Sequence, residues 1–177
     1  ADQAERTRGV TTVVHCWSAP RSRSTALLYS FDARSDVVAL DEPLYREWCL
    51  QQAIDSQVVT RPYAQHFVDG GASLFDHTDD EHHVKQKWQR ETLSLEERIR
   101  GAMETLPQEK NGIVFCKHMA KHWSCVSPNQ FVSSPTVRHV HVLLIRDPVA
   151  VLTSWNSSAD VHGNNPTADE VGILPLL

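Results

Sequence analysis

The chain has 177 residues, 41% of them apolar, and a formal net charge of −5. That is enough apolar material for a single domain, residues 1–177, around one core, and too acidic a balance for general nucleic-acid binding, which needs a basic face against phosphates. No stretch reaches the apolar length that spans a bilayer, and the charged opening Ala1-Asp2-Gln3-Ala4-Glu5-Arg6 is not a signal peptide. We therefore expect a soluble, cytoplasmic protein without a membrane partner, and removal of an organellar transit peptide is compatible with the same residues. The four cysteines, Cys16, Cys49, Cys116 and Cys125, lie in apolar or aromatic surroundings without a dense framework, which fits free thiols in a reducing compartment.

In chain order, the apolar run Val13-Val14-His15-Cys16-Trp17 reads as a strand and breaks at Ser18-Ala19-Pro20-Arg21-Ser22-Arg23-Ser24-Thr25. A helix is expected over residues 24–33. Its free N–H groups, its positive dipole end and several hydroxyls would converge just beyond the strand, where a phosphate or sulfate is favoured. Arg21, inside the turn, adds a forked guanidinium suited to anionic oxygens. The alternative is an ordinary connection in which Ser22 or Ser24 only caps the helix. The loop lacks the glycines and the lysine–hydroxyl pair of the metal-dependent NTPase loop, and no glycine lies between Val10 and Phe31.

Residues 36–40 form a short second strand ending at Asp41-Glu42-Pro43, and a helix follows over 45–53. A turn near Arg61-Pro62 and a polar loop over residues 69–83 come next. Leu95, Ile99, Ala102, Met103 and Leu106 then recur at helical spacing behind a capping box from Ser94 to Glu97, and that helix ends near Pro107. Asn111-Gly112 turns the chain into a third strand over 113–116. A buried fourth strand over 140–145 runs into Arg146-Asp147-Pro148, where Asp147 is a good N-cap and Pro148 suits the first helical position. Ser154 then lies about 9 Å along the new helix from Pro148. Arg146 and Ser154 form a second candidate phosphate clamp.

Strands alternating with helices indicate an α/β three-layer sandwich with a parallel central sheet. The carboxyl ends of its strands lie on one edge, where open α/β sheets bind ligands. Arg21, Glu42, Lys117, His118 and Arg146 are all expected just after strands.

Pro20-Arg21-Ser22-Arg23-Ser24-Thr25 resembles the 5'-phosphosulfate loop P-R-S-G-S-T of sulfotransferases. Arg146-Asp147-Pro148 with Ser154 resembles their 3'-phosphate motif, and Asp41-Glu42-Pro43-Leu44-Tyr45 resembles the D/N-E-P-L segment of carbohydrate-type and plant sulfotransferase-like sequences. Ser18-Ala19-Pro20-Arg21-Ser22, Tyr29-Ser30-Phe31 and Phe115-Cys116-Lys117-His118 are similar to the sulfotransferase-like domain attached to some plant branched-chain aminotransferase-like proteins. The resemblance covers roughly residues 10–160, with a divergent middle. It implies a P-loop-type fold, 3'-phosphoadenosine 5'-phosphosulfate as co-substrate without a metal, and a small-molecule or carbohydrate acceptor. It assigns the cofactor to Arg21, Ser22, Arg23, Ser24, Thr25, Arg146 and Ser154. Arg23 stands where the family loop has glycine, which leaves a looser backbone approach or an added charge as alternatives. The chain also stops at Leu177, where family members carry further helices, so a C-terminally truncated domain is expected.

The resemblance implies sulfuryl transfer to a hydroxyl or amine, which needs stabilised charge on the leaving phosphate and a base for the acceptor proton. Arg21 suits the first task. Glu42 matches the glutamate base of carbohydrate- and peptide-type members; His118 resembles the histidine of the K-x-H segment of the cytosolic branch, although here it follows the lysine directly. Glu42 is favoured over His118. Two other classes compete: a non-catalytic nucleotide-binding part of a larger aminotransferase-like protein, and a divergent kinase-like NTPase that would bind magnesium-ATP. A zinc cluster of Cys116, His118, His122 and Cys125, three of them on one helix face, lacks the paired modules of structural sites and ranks behind ordinary packing. Trp48, Trp123 and Trp155 suit the core more readily than an acceptor or adenine pocket.

Overall fold

Four parallel strands, β1 (Thr11–Ser18), β2 (Val37–Asp41), β3 (Ile113–Met119) and β4 (Val137–Leu144), make a sheet in the order β2-β3-β1-β4. The computed structural model describes residues 9–56, 93–107 and 111–156. The helices are α1 (Ser24–Asp32), α2 (Tyr45–Ser56), α3 (Leu95–Thr105) and α4 (Pro148–Asn156), with 3-10 turns at Ala120–Cys125 and Pro128–Phe131. This is the expected α/β architecture with a parallel central sheet. The turn near Arg61-Pro62 and the polar loop over 69–83 lie outside the described residues.

Because side chains alternate along a strand, the register sorts the sheet into two unlike faces. On one face Val13, Trp17, Val114 and Cys116 pack with Leu44 and with Leu95, Ile99, Ala102 and Leu106 of the α3 segment. Leu95, Ile99 and Ala102 recur at helical spacing, and burying each of the two larger ones contributes about 1.5–3 kcal/mol. The capping box opening α3 is complete: Glu97 N–H donates to Ser94 Oγ and Ser94 N–H donates to the Glu97 carboxylate. On the other face Cys16, Leu28, Val37 and Phe115 form a second cluster under α1, and Phe31 stacks on Phe115 at 4.1 Å. Gly112 precedes β3 because a Cβ there would meet Leu106 Cδ1 at 2.7 Å.

Two expectations change. The third strand does not stop at Cys116 but runs to Met119, so Lys117 and His118 are strand residues rather than loop residues. Both polar side chains are tolerated inside the sheet because each finds a partner there: carboxylates for Lys117 and an imidazole for His118. The fourth strand is also not buried. Among the described residues β4 pairs only with β1, and Val142 and Leu143 are 41% and 52% exposed.

The apolar face carries an unexpected polar core. The buried His15 and His118 share it with Trp17 and Phe131, flanked by the half-buried His139 and the exposed His141, the rings of His15 and His118 stacking at 5.3 Å and those of Trp17 and His118 at 4.3 Å. Burial, helped by neighbouring imidazoles, pushes His15 down to about 2 and His118 to about 3; burial and the nearby lysines push His122 down to about 3. These rings stay neutral when folded, whereas an unfolded histidine protonates near pH 6.5. Below that pH the unfolded chain binds more protons, so stability falls as pH drops from 6.5 toward 3 and is fully retained above. Denaturant unfolding at pH 7.5 and pH 5 should show a loss on the order of 1 kcal/mol per pH unit for each such ring. Substituting His122 by Asn should reduce that slope.

Candidate functional site

The turn after β1 takes an unusual path. Arg21 and Arg23 have φ of 63° and 66°, the left-handed region that favours glycine. Arg23, at the position of the glycine in P-R-S-G-S-T, thus adopts the conformation glycine would, and it is the N-cap of α1 without any side-chain capping bond. Neither Ser22 nor Ser24 caps the helix by its side chain, which removes the capping account of these serines. Ser22 is 5% exposed and its Oγ has no hydrogen-bond partner among the described residues. A buried hydroxyl in that state, beside a helix N-terminus, is a donor held ready for an anion.

The turn before α4 comes to the same place. Asp147 Oδ1 accepts from Val149 N–H at 3.0 Å, the N-cap that lets the helix begin at Pro148. Arg146 Nη1 donates to the Arg21 carbonyl at 2.7 Å, and Arg21 Nε donates to Ser154 Oγ at 3.3 Å. The structure therefore brings Arg21, Ser22, Arg146 and Ser154 to one edge of the sheet, while Ser24 and Thr25 open α1 beside them. Two guanidinium groups, hydroxyls and a helix N-terminus together suit a ligand with more than one anionic group.

A second cluster lies beyond β2. Lys117, 3% exposed, donates through Nζ to Asp41 Oδ1 at 2.6 Å and to Glu42 Oε1 at 3.0 Å. Burial works to lower its pKa, but hydrogen bonds and charge from Asp41 and Glu42 outweigh that and hold it above the ordinary lysine value. Glu42 has φ 44°, its N–H donates to the Lys117 carbonyl at 2.9 Å, and its side chain is 23% exposed. Glu42 is thus fixed at the strand end with its carboxylate partly open.

His118 is placed differently. On the face opposite Lys117, it is fully buried, its Nε2 is 3.1 Å from His15 Nδ1, and its Nδ1 has no partner among the described residues. It is not beside His122 and Cys125 on a helix face, because β3 holds His118 while a 3-10 turn holds the other two. Trp48 and Trp155 are core residues at 9% and 5% exposure; Trp123 stands edge-on to Trp17. The histidines at 15, 139 and 141 escaped the sequence reading. Their signal was the i, i+2 spacing of His15 with Trp17 and of His139 with His141, which puts each pair on one strand face.

Among the described residues no helix is long and apolar enough to cross a membrane. The same residues contain only free cysteines, Cys16, Cys49, Cys116 and Cys125.

Residues 12–88 match the sequence model of the sulfotransferase domain family. The chain is 34% identical over 143 residues to the branched-chain-amino-acid aminotransferase-like protein 2 of Arabidopsis thaliana, covering 81% of this chain and 20% of that protein. It is 32% identical over 165 residues to the aminotransferase-like protein 1 of the same plant, covering 93% of this chain and 23% of that one. The chain spans about a fifth of the length of these curated relatives. Residues 12–88 are thus similar to the sulfotransferase domain family, and the chain as a whole is similar to one part of the plant aminotransferase-like proteins, over a parallel sheet of the kind expected.

Proposed function

We propose that the chain transfers a sulfuryl group from 3'-phosphoadenosine 5'-phosphosulfate to a hydroxyl or amine of a small-molecule or carbohydrate acceptor. The observation that carries this reading is the contact of the two strand-end arginines, Arg146 Nη1 on the Arg21 carbonyl, beside the unpartnered Ser22 hydroxyl. In this reading Ser22, Arg23, Ser24 and Thr25 hold the 5'-phosphosulfate, and Arg146 with Ser154 holds the 3'-phosphate. The donor supplies an activated sulfur–oxygen bond; the acceptor oxygen or nitrogen bonds to sulfur as the bond to the bridging phosphate oxygen breaks. Arg21 stabilises the charge that gathers on that oxygen. Glu42 takes the acceptor proton, and Lys117 keeps its carboxylate oriented.

Glu42 is the better base because its carboxylate is partly exposed at the strand end, whereas His118 is sealed in the sheet with Nε2 already engaged. The second reading, a non-catalytic nucleotide-binding part of a larger aminotransferase-like polypeptide, is favoured by the names of the two plant relatives. Free thiols fit a reducing, cytoplasmic setting.

Calorimetric titration with 3'-phosphoadenosine 5'-phosphate tests what both readings share, and a preference for magnesium-ATP would sink the transfer reading in favour of a kinase-like NTPase. Arg146→Ala should weaken binding of the bisphosphate by about 1.5–3 kcal/mol, the scale of a charged hydrogen bond. Unchanged affinity would remove Arg146 from the site.

Sulfate transfer to a panel of acceptors separates enzyme from binder. Glu42→Gln should leave bisphosphate affinity intact while lowering turnover by roughly a hundredfold or more. A fully active variant would take the proton-accepting role away from Glu42.

A further inference from the structure

The imidazole-rich face of the sheet contains a second constellation, separate from the anion-binding edge. His15, Cys116 and His118 each offer one donor atom, and the three atoms lie within 4.8 Å of one another, all buried. The register explains the meeting: Cys116 stands opposite His15 across the β1–β3 ladder, and His118 follows Cys116 by two residues on the same face. We propose that His15, Cys116 and His118 bind a zinc-class divalent transition-metal ion, with water in the fourth position.

Geometry supports the donor set. Two nitrogens at a tetrahedral angle around zinc, each about 2.0–2.1 Å from it, stand about 3.3–3.4 Å apart. His15 Nδ1 and His118 Nε2 are 3.1 Å apart, so opening by a few tenths of an ångström replaces their shared hydrogen bond by two metal bonds. The ring beyond is already in the right relation. His15 Nε2 is 3.0 Å from His139 Nδ1, so a His15 that ligates through Nδ1 keeps its proton on Nε2 and donates it outward, the arrangement that fixes a metal-bound imidazole.

Protonation favours the imidazoles and costs something at sulfur. Both histidines are neutral across the physiological range, so no proton competes for their lone pairs. Burial pushes the Cys116 thiol up to about 12, so binding must release its proton to solvent as the sulfur–metal bond forms. His139 is half-buried and His141 exposed on the strand β4 beside His15. A metal-bound His118 has no lone pair for an acceptor proton, which agrees with Glu42 as base. The site itself does not depend on the transfer reading.

Titrating the metal-free full chain with Co2+ should saturate at one equivalent. Intense visible bands of a tetrahedral ion and a thiolate-to-metal charge-transfer band are expected. Cys116→Ser should abolish the charge-transfer band, Cys125→Ser should leave it unchanged, and His139→Ala should lower Co2+ affinity roughly 10- to 100-fold. X-ray absorption of the unsubstituted chain with one equivalent of Zn2+ keeps the test independent of how the variants fold. One sulfur at about 2.3 Å with imidazole scattering supports the site. A sulfur-free shell, a two-sulfur shell, absence of saturable Co2+ binding, or a charge-transfer band that survives Cys116→Ser overturns it.

Discussion

The hydrogen bond from the Arg146 guanidinium to the Arg21 carbonyl, at 2.7 Å, joins two turns that lie 125 residues apart in the chain. Residues with positive φ that are not glycine cost on the order of 1–3 kcal/mol each and persist only where their surroundings over-determine them. Arg21 and Arg23 are both of this kind. Arg146 holds Arg21 from one side, Ser22 N–H donates back to the Ala19 carbonyl at 3.3 Å, and the buried Ser24 anchors the start of α1. If that tie were cut, the strained turn could relax, and the Ser22 hydroxyl would lose the position it holds beside the α1 N-terminus.

The parallel sheet is what allows the two turns to meet. β1 and β4 are neighbours running the same way, so the turns leaving their carboxyl ends emerge side by side. β2 and β3, also parallel neighbours, place Glu42 just past the end of β2 beside Lys117 near the end of β3. Alternation along β3 then separates two chemistries within two residues: Lys117 turns to the carboxylates, while His118 turns to the imidazoles. A helix could not divide adjacent residues between opposite faces in this way.

How much of this was legible depends on the kind of signal. The loop after β1, the capping box at Ser94, the Asp147-Pro148 helix start and the parallel α/β order were all readable, because each rests on local chemistry or on the alternation of strand and helix patterns. The length of β3 was not, since Lys117 and His118 look like loop residues until their partners, 75 and 103 residues away, are known. The exposure of β4 was equally hidden: an apolar run says that a strand belongs to a sheet, not whether it sits at the edge. The histidine cluster around the buried His15 and His118 needed the register itself, because no local pattern tells that the two face one another.

In the proposed transfer, the same register bears on which group would serve as base. A proton acceptor must reach the acceptor in the cleft, and its free lone pair must point there. His118 spends one nitrogen on His15 and buries the other, while the backbone of Glu42 bends at φ 44° to hold a partly exposed carboxylate at the strand end. Strain at Glu42 and its clamp to the Lys117 carbonyl are the costs of a fixed position, and a fixed position is what a base needs and a solvated surface carboxylate does not. That Arg21, Arg23 and Glu42, the positive-φ non-glycine residues among those described, all fall in the turns at the carboxyl ends of β1 and β2 makes the strain a property of that edge of the sheet rather than of the fold at large.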